Sequence, residues 1–140
     1  MFYVDTSLIV SALTAEAEGE RVRVWLVGSQ AGELYISDWV VTEFSSALSL
    51  KLRTGQISSD VRDSALAEFR EAAVASFIRL EISRSHFQSA ASFADRYKLG
   101  LRAADALHLA IAVDFGLSLC TLDKRLAAAA QQLGYATFEV

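Results

Sequence analysis

Four carboxylates stand where a folded chain has little ordinary use for a charge. Asp5 follows the apolar run MFYV, and Asp123 follows LSLCTL. Asp105 falls in the first turn of RAADALHLAIA, and Glu43 sits beside the apolar stripe of WVVTEFSSAL. A desolvated charge without a partner is costly, so each needs an account. Singly, each has a plain one. Asp5 and Asp123 can cap the helices that follow them, Asp105 can complement a helix dipole, and Glu43 can solubilise a helix face. Jointly they fit a different chemistry. Four converging carboxylates repel one another, and a divalent cation removes that repulsion. An all-carboxylate donor set completed by water suits Mg²⁺ or Mn²⁺ rather than zinc. Such a centre activates water and neutralises phosphodiester oxygens during in-line displacement.

Other chemistries lack their residues. Ser7 has no G-x-S-x-G elbow and the chain holds only two histidines. Neither a G-x-x-x-x-G-K-[ST] loop nor a G-x-G-x-x-G fingerprint is present. His108, one turn after Asp105, reads as a satisfied, partly buried histidine rather than a ligand, and His86 reads as a surface residue. Cys120 reads as a buried strand residue, not a nucleophile. Arg102 shares a helix face with Asp105; it either contacts a phosphate or pairs with an acidic neighbour and fixes it. Lys124 and Arg125 either line the path of a phosphodiester substrate or solvate a helix start. Lys51 and Arg53 match a helix C-terminal dipole.

The elements that must position these acids follow from the apolar periodicity. Strands are expected over Met1–Asp5, Glu33–Ser37, Phe77–Ile82, Leu117–Thr121 and Tyr135–Val140. Helices are expected over Ser7–Thr14, Glu18–Gln30, Asp38 to about Leu52, Ser59–Ala75, Arg84–Tyr97, Arg102–Phe115 and Asp123–Leu133. Ser37 is the expected N-cap of the third helix, and Gly55, Gly116 and Gly134 are helix stops. Strands separated by helices imply a parallel sheet covered on both faces. In such sheets ligands bind beyond the carboxyl ends of the strands, where Asp5 and Asp123 fall.

Composition bounds the rest. The 140 residues, 53% hydrophobic and without proline or a Gly/Ser-rich linker, make a single domain over 1–140. No apolar run approaches a membrane span and no secretory signal opens the chain. One cysteine allows no internal disulfide, which suits the cytoplasm. A net charge of −4 argues against a protein held on nucleic acid by bulk electrostatics. It leaves open a nucleic-acid enzyme whose acids hold metal ions.

YVDTSLIV, ISDWVVTEFSSAL, LRAADALHLAIA and LCTLDKRLAAAA together resemble the PIN domain, and within it the VapC-type toxins of bacterial toxin–antitoxin pairs. The four motifs come in the family's order and span nearly the whole chain. The resemblance implies an α/β fold, a three-layer α/β/α sandwich with a central, mostly parallel sheet. It implies a metal-dependent endoribonuclease that hydrolyses RNA phosphodiester bonds. Asp5, Glu43, Asp105 and Asp123 then become the catalytic and metal-holding acids for Mg²⁺ or Mn²⁺. Thr6 or Ser7 and Thr121 become the supporting hydroxyls, with Arg102 a further candidate. The implied partners are an RNA substrate, a VapB-type antitoxin and a second copy of the chain, with no membrane. Asp38 stands where the family often has proline; it either joins the site or caps the helix. Two other readings compete. One is a non-catalytic PIN-like protein-binding module, which all four acids argue against. The other is a phosphohydrolase with an aspartyl nucleophile, which usually wants a second Asp where this chain has Ser7.

Overall fold

The opening FYV forms β1 (Phe2–Val4), the central strand of a five-stranded sheet in the computed structural model, which describes residues 1–140. The other strands are β2 (Leu34–Ser37), β3 (Ile78–Leu80), β4 (Ser118–Cys120) and β5 (Thr137–Phe138). Their order is β3-β2-β1-β4-β5 and every pairing is parallel. Phe2 stands opposite Leu34 on one side and Ser118 on the other. A parallel sheet is buried on both faces, and β1 accordingly carries Tyr3 and Val4 with no exposed surface.

The helices divide into two groups by what they touch. The first is α1 (Thr6–Leu13), α2 (Gly19–Gly28), α3 (Asp38–Arg53) and α4 (Ser59–Ala75); the second is α5 (Arg84–Ala94), α6 (Ala103–Asp114) and α7 (Lys124–Gln132). The chain winds β1→β2→β3 to one edge, returns to lay β4 beside β1, and continues to β5. Right-handed crossovers place the two helix groups on opposite faces, which gives the expected α/β/α sandwich. The winding reverses between β1 and β4. Their carboxyl ends therefore open the crevice where such sheets bind ligands, and Asp5 N–H donates to Cys120 O at 3.0 Å to close the two strands together there.

Side chains pack against both faces of the sheet. Leu8, Ile36, Phe44, Leu48, Leu109, Ile111, Leu119 and Leu126 are fully buried. The Phe44 and Phe69 rings meet at 4.4 Å, inside the usual range for aromatic pairs. α6 is apolar almost all round: Ala106 to Ala112 are buried without a break, as expected of a helix sandwiched between the sheet and α5. No helix is long and apolar enough to cross a membrane.

The strands are shorter than the apolar runs suggest. Phe77–Ile82 pairs only over Ile78–Leu80, and Tyr135–Val140 only over Thr137–Phe138. Phe77, Ile82, Tyr135 and Val140 stay half-buried against the core beyond the ends of the hydrogen-bond ladder. The expected helix Arg84–Tyr97 stops at Ala94, and Tyr97–Leu99 forms a 3₁₀ turn closed by Gly100 at φ +64°. Ser37 does occupy the N-cap position of α3, but its side chain caps nothing. The hydroxyl turns inward instead and lies 2.8 Å from Tyr3 Oη.

Candidate metal centre

Asp5 leaves the end of β1 with 6% of its surface exposed. It holds the N-cap position of α1, yet its carboxylate makes no capping bond. Both oxygens face other partners. Oδ2 accepts from Ser7 Oγ at 2.8 Å and from Thr121 Oγ1 at 2.5 Å, and Oδ1 lies 3.2 Å from His108 Nε2. Ser7 Oγ also accepts from Leu122 N–H at 3.0 Å, and Thr121 Oγ1 accepts from Asp123 N–H at 3.0 Å. Two hydroxyls thus bind the carboxyl ends of β1 and β4 to each other through Asp5.

Glu43 comes from the second turn of α3. Its Oε2 accepts from Thr6 Oγ1 at 2.7 Å and lies 2.6 Å from His108 Nε2. Burial would push this carboxyl up, but the hydrogen bond and charge of His108, joined by Thr6, outweigh it and hold Glu43 below its ordinary value. His108 reaches from α6 and is buried. Burial would lower its pKa; the charge of Asp5 and the hydrogen bond to Glu43 raise it. Its Nδ1 lies 3.0 Å from Tyr3 Oη.

Asp105 and Asp123 each commit one oxygen to a helix start. Asp105 Oδ2 accepts from Arg102 N–H at 3.2 Å. Asp123 Oδ1 accepts from Arg125 N–H at 2.7 Å and Leu126 N–H at 3.1 Å, and so caps α7. Burial raises the Asp105 carboxyl; the Arg102 N–H opposes this, and the charges of Asp123 and Asp5 add to it. The plain account of Asp123 is therefore correct for one oxygen and leaves the other free.

All four acids line one open cleft of about 520 Å³, together with Thr6, Ser7, His108 and Glu16. The donor set fits a divalent cation on two observations. Asp5, Glu43 and His108 present polar atoms within 4.8 Å of one another. Glu43 Oε1, Asp105 Oδ1 and Asp123 Oδ2 accept no hydrogen bond from the protein, while the partner oxygen of each is fixed. Fixed carboxylates with one free oxygen apiece, crowded by like charge, are what a hard oxygen-seeking ion requires.

Several expectations change here. His108 is satisfied, as expected, but it is fully buried and its partners are the site acids themselves. His86 is buried rather than superficial: it lies at the third position of α5, where its Nδ1 accepts from Ser83 N–H at 2.9 Å and its Nε2 lies 2.9 Å from Asp114 Oδ2. Its ring stacks on Phe115. Arg102 does fix Asp105, but through its backbone N–H; its guanidinium forms no ion pair. Asp38 stays outside the cleft and pairs with Arg79 at 3.4 Å. Lys51 reaches Glu16 on the cleft rim at 2.5 Å instead of only closing its helix. Lys124 and Arg125 open α7; Lys124 lines the adjoining groove beside Thr121 and Leu122. Tyr3 and Glu16 carry no sequence signal, since an apolar strand and a polar turn explain them equally well.

A family model described as PIN domain matches residues 2–132. No curated protein matches the sequence. Solved structures do. The complex FitAB bound to the IR36 DNA fragment is 21% identical with a TM-score of 0.74, covering 99% of this chain and 94% of that one. VapC20 from Mycobacterium tuberculosis, described as a sarcin-ricin loop cleaving toxin, is 20% identical with a TM-score of 0.69 over 92% and 95%. A toxin–antitoxin complex from Klebsiella pneumoniae is 18% identical with a TM-score of 0.66 over 100% of both chains. At these identities the likeness is one of fold.

Proposed function

This chain belongs to the PIN domain family, and from that premise we propose that it is a Mg²⁺- or Mn²⁺-dependent endoribonuclease, the toxin of a toxin–antitoxin pair. The observation that carries the reading is the convergence of Asp5, Glu43, Asp105 and Asp123 on one cleft, from four elements at one edge of the sheet. These four acids would hold the ion. When bound, it supplies Lewis acidity that offsets the charge of phosphodiester oxygens and eases deprotonation of water.

The protein's own groups do the positioning. Ser7 and Thr121 hold Asp5, Thr6 holds Glu43, the Arg102 N–H holds Asp105, and the first turn of α7 holds Asp123. Ser7 serves as a positioning group in this reading: its hydroxyl donates to Asp5 and accepts from Leu122 N–H, and no histidine is bonded to it. RNA as the substrate class is supported by likeness to the sarcin-ricin loop cleaving toxin. An antitoxin partner is supported by likeness to toxin–antitoxin complexes. A homodimer follows from the resemblance to VapC-type proteins. Its check is the solution mass by light scattering, where a monomer at every concentration would remove the dimer.

The direct test is cleavage of total RNA by the purified protein with Mg²⁺, with Mn²⁺ and with EDTA. Cleavage that needs the ion and disappears in Asp5→Asn supports the assignment. Intact RNA in every lane, with no binding of either ion, would leave a non-catalytic binding module.

A further inference from the structure

His108 is the one side chain that touches both Asp5 and Glu43. We infer that it is a positioning residue of the metal centre, a hydrogen-bond donor that keeps these two carboxylates at the spacing from which both hold one ion; the inference rests on the metal-dependent reading above.

A string of buried polar groups fixes the ring. Ser37 Oγ lies 2.8 Å from Tyr3 Oη, which lies 3.0 Å from His108 Nδ1, and His108 Nε2 lies 2.6 Å from Glu43 Oε2. Nε2, which faces two carboxylates, carries the proton that Glu43 accepts, with Asp5 Oδ1 at 3.2 Å, and the Tyr3 hydroxyl holds Nδ1 from the other side. Ser37, Tyr3 and His108 are 0–2% exposed. The ring is also tilted against Tyr3 with centroids 5.8 Å apart. It therefore cannot turn without stranding a buried polar atom, which is costly. A residue needed only to fill this space would be apolar.

At 2.6 Å, His108 Nε2 and Glu43 Oε2 are joined by a proton, so the ring meets this carboxylate as a donor. Without the donor, Asp5 and Glu43 are two like charges on separate elements, 38 positions apart. Groups that orient metal ligands in this way are worth about 10–100-fold in metal affinity.

The test is Mn²⁺ affinity by calorimetry on the full chain, with thermal melting in EDTA as the control for folding. His108→Leu should weaken Mn²⁺ binding about 10–100-fold, while His108→Gln, whose amide can donate from nearly the same place, should stay within about threefold of wild type. Tyr3→Phe, which keeps the ring and removes only the hydroxyl that holds Nδ1, should lose about tenfold, the lower end of that range. Wild-type affinity in His108→Leu overturns the inference. So does equal loss in the Gln and Leu variants, or disappearance of the His108 Nε2 proton from the ¹⁵N NMR spectrum on Mg²⁺ saturation, since either makes the ring a ligand. If His108→Leu fails to fold, Tyr3→Phe decides, and unchanged affinity there overturns it. A wild type that binds no Mn²⁺ overturns the metal reading itself.

Discussion

His108 Nε2 stands 2.6 Å from Glu43 Oε2, a contact between residues 65 apart that joins a helix of one layer to a helix of the other at the carboxyl edge of the sheet. Alone, His108 would be an unfavourable buried group and Glu43 a half-buried charge. Together they form a charge-assisted bond whose strength grows as the surroundings become less polar. The contact also sets the protonation of both groups, because burial acts against each charge and pairing reverses its effect.

The pair predicts a pH optimum for stability in the metal-free protein. The folded pKa of His108 lies above its ordinary 6.5, so its contribution is complete below 6.5 and is lost as pH rises through the raised value. The folded pKa of Glu43 lies below its ordinary 4.5, so its contribution is complete above 4.5 and is lost as pH falls through the lowered value. Both are complete between those two ordinary values. Thermal melting in EDTA across pH should show the largest gap between wild type and His108→Leu in that window. A gap independent of pH would contradict the pairing.

Asp123 separates folding from chemistry within one side chain. Its Oδ1 caps α7, and its Oδ2 is free in the cleft. Asp123→Asn keeps a good cap, so its urea midpoint should match wild type to within about 0.5 kcal/mol. Its RNA cleavage should fall about 100-fold or more, as expected for loss of a metal-holding charge. Asp123→Ala should lose the cleavage and about 1 kcal/mol of stability as well. Equal cleavage by Asn and wild type would leave Asp123 a cap alone.

The acids were readable from sequence because their placement broke local rules. A charge after a buried strand, or one beside the apolar stripe of a helix, is visible within ten residues. The parallel sheet was readable too, since FYV, LYIS and LSLC alternate with helices. What escaped is whatever depends on contacts between distant segments. Tyr3 belongs to an apolar strand by every local measure, and only the fold brings its hydroxyl to Ser37 and His108, 34 and 105 positions away. Ser37 has the residue type of a cap and sits at the cap position, yet Tyr3 outcompetes the helix for its hydroxyl. His86 looked superficial because its partners, Asp114 and Phe115, lie in the next helix and just past its end.

Gly19 marks a close approach that no motif announces. A Cβ there would stand 2.4 Å from Ser11 O, a backbone atom in α1 that cannot swing aside. Gly19→Ala must therefore push α2 away from α1, at about 1–3 kcal/mol by analogy with overpacked cores. Urea unfolding should show the loss in the midpoint. Ala at Gly28, where nothing lies within 4 Å, is the control and should be neutral or slightly stabilising. Equal stability of Gly19→Ala and wild type would mean that α1 and α2 slide freely.

Ser7 tests whether the hydroxyls around Asp5 organise the acid or react. Ser7→Ala removes one donor to Asp5 Oδ2 and leaves Leu122 N–H without its acceptor. The orphaned N–H should cost about 1–3 kcal/mol, read as a lower urea midpoint. Thr121 still holds Asp5 Oδ2, so the carboxylate stays in the cleft. RNA cleavage should then fall about tenfold, within the range for loss of a group that orients a metal-holding residue. It should not vanish, because no covalent intermediate on Ser7 is required. Complete loss of cleavage in a well-folded Ser7→Ala protein, restored by Ser7→Cys, would instead make Ser7 the nucleophile and demote the four acids to support.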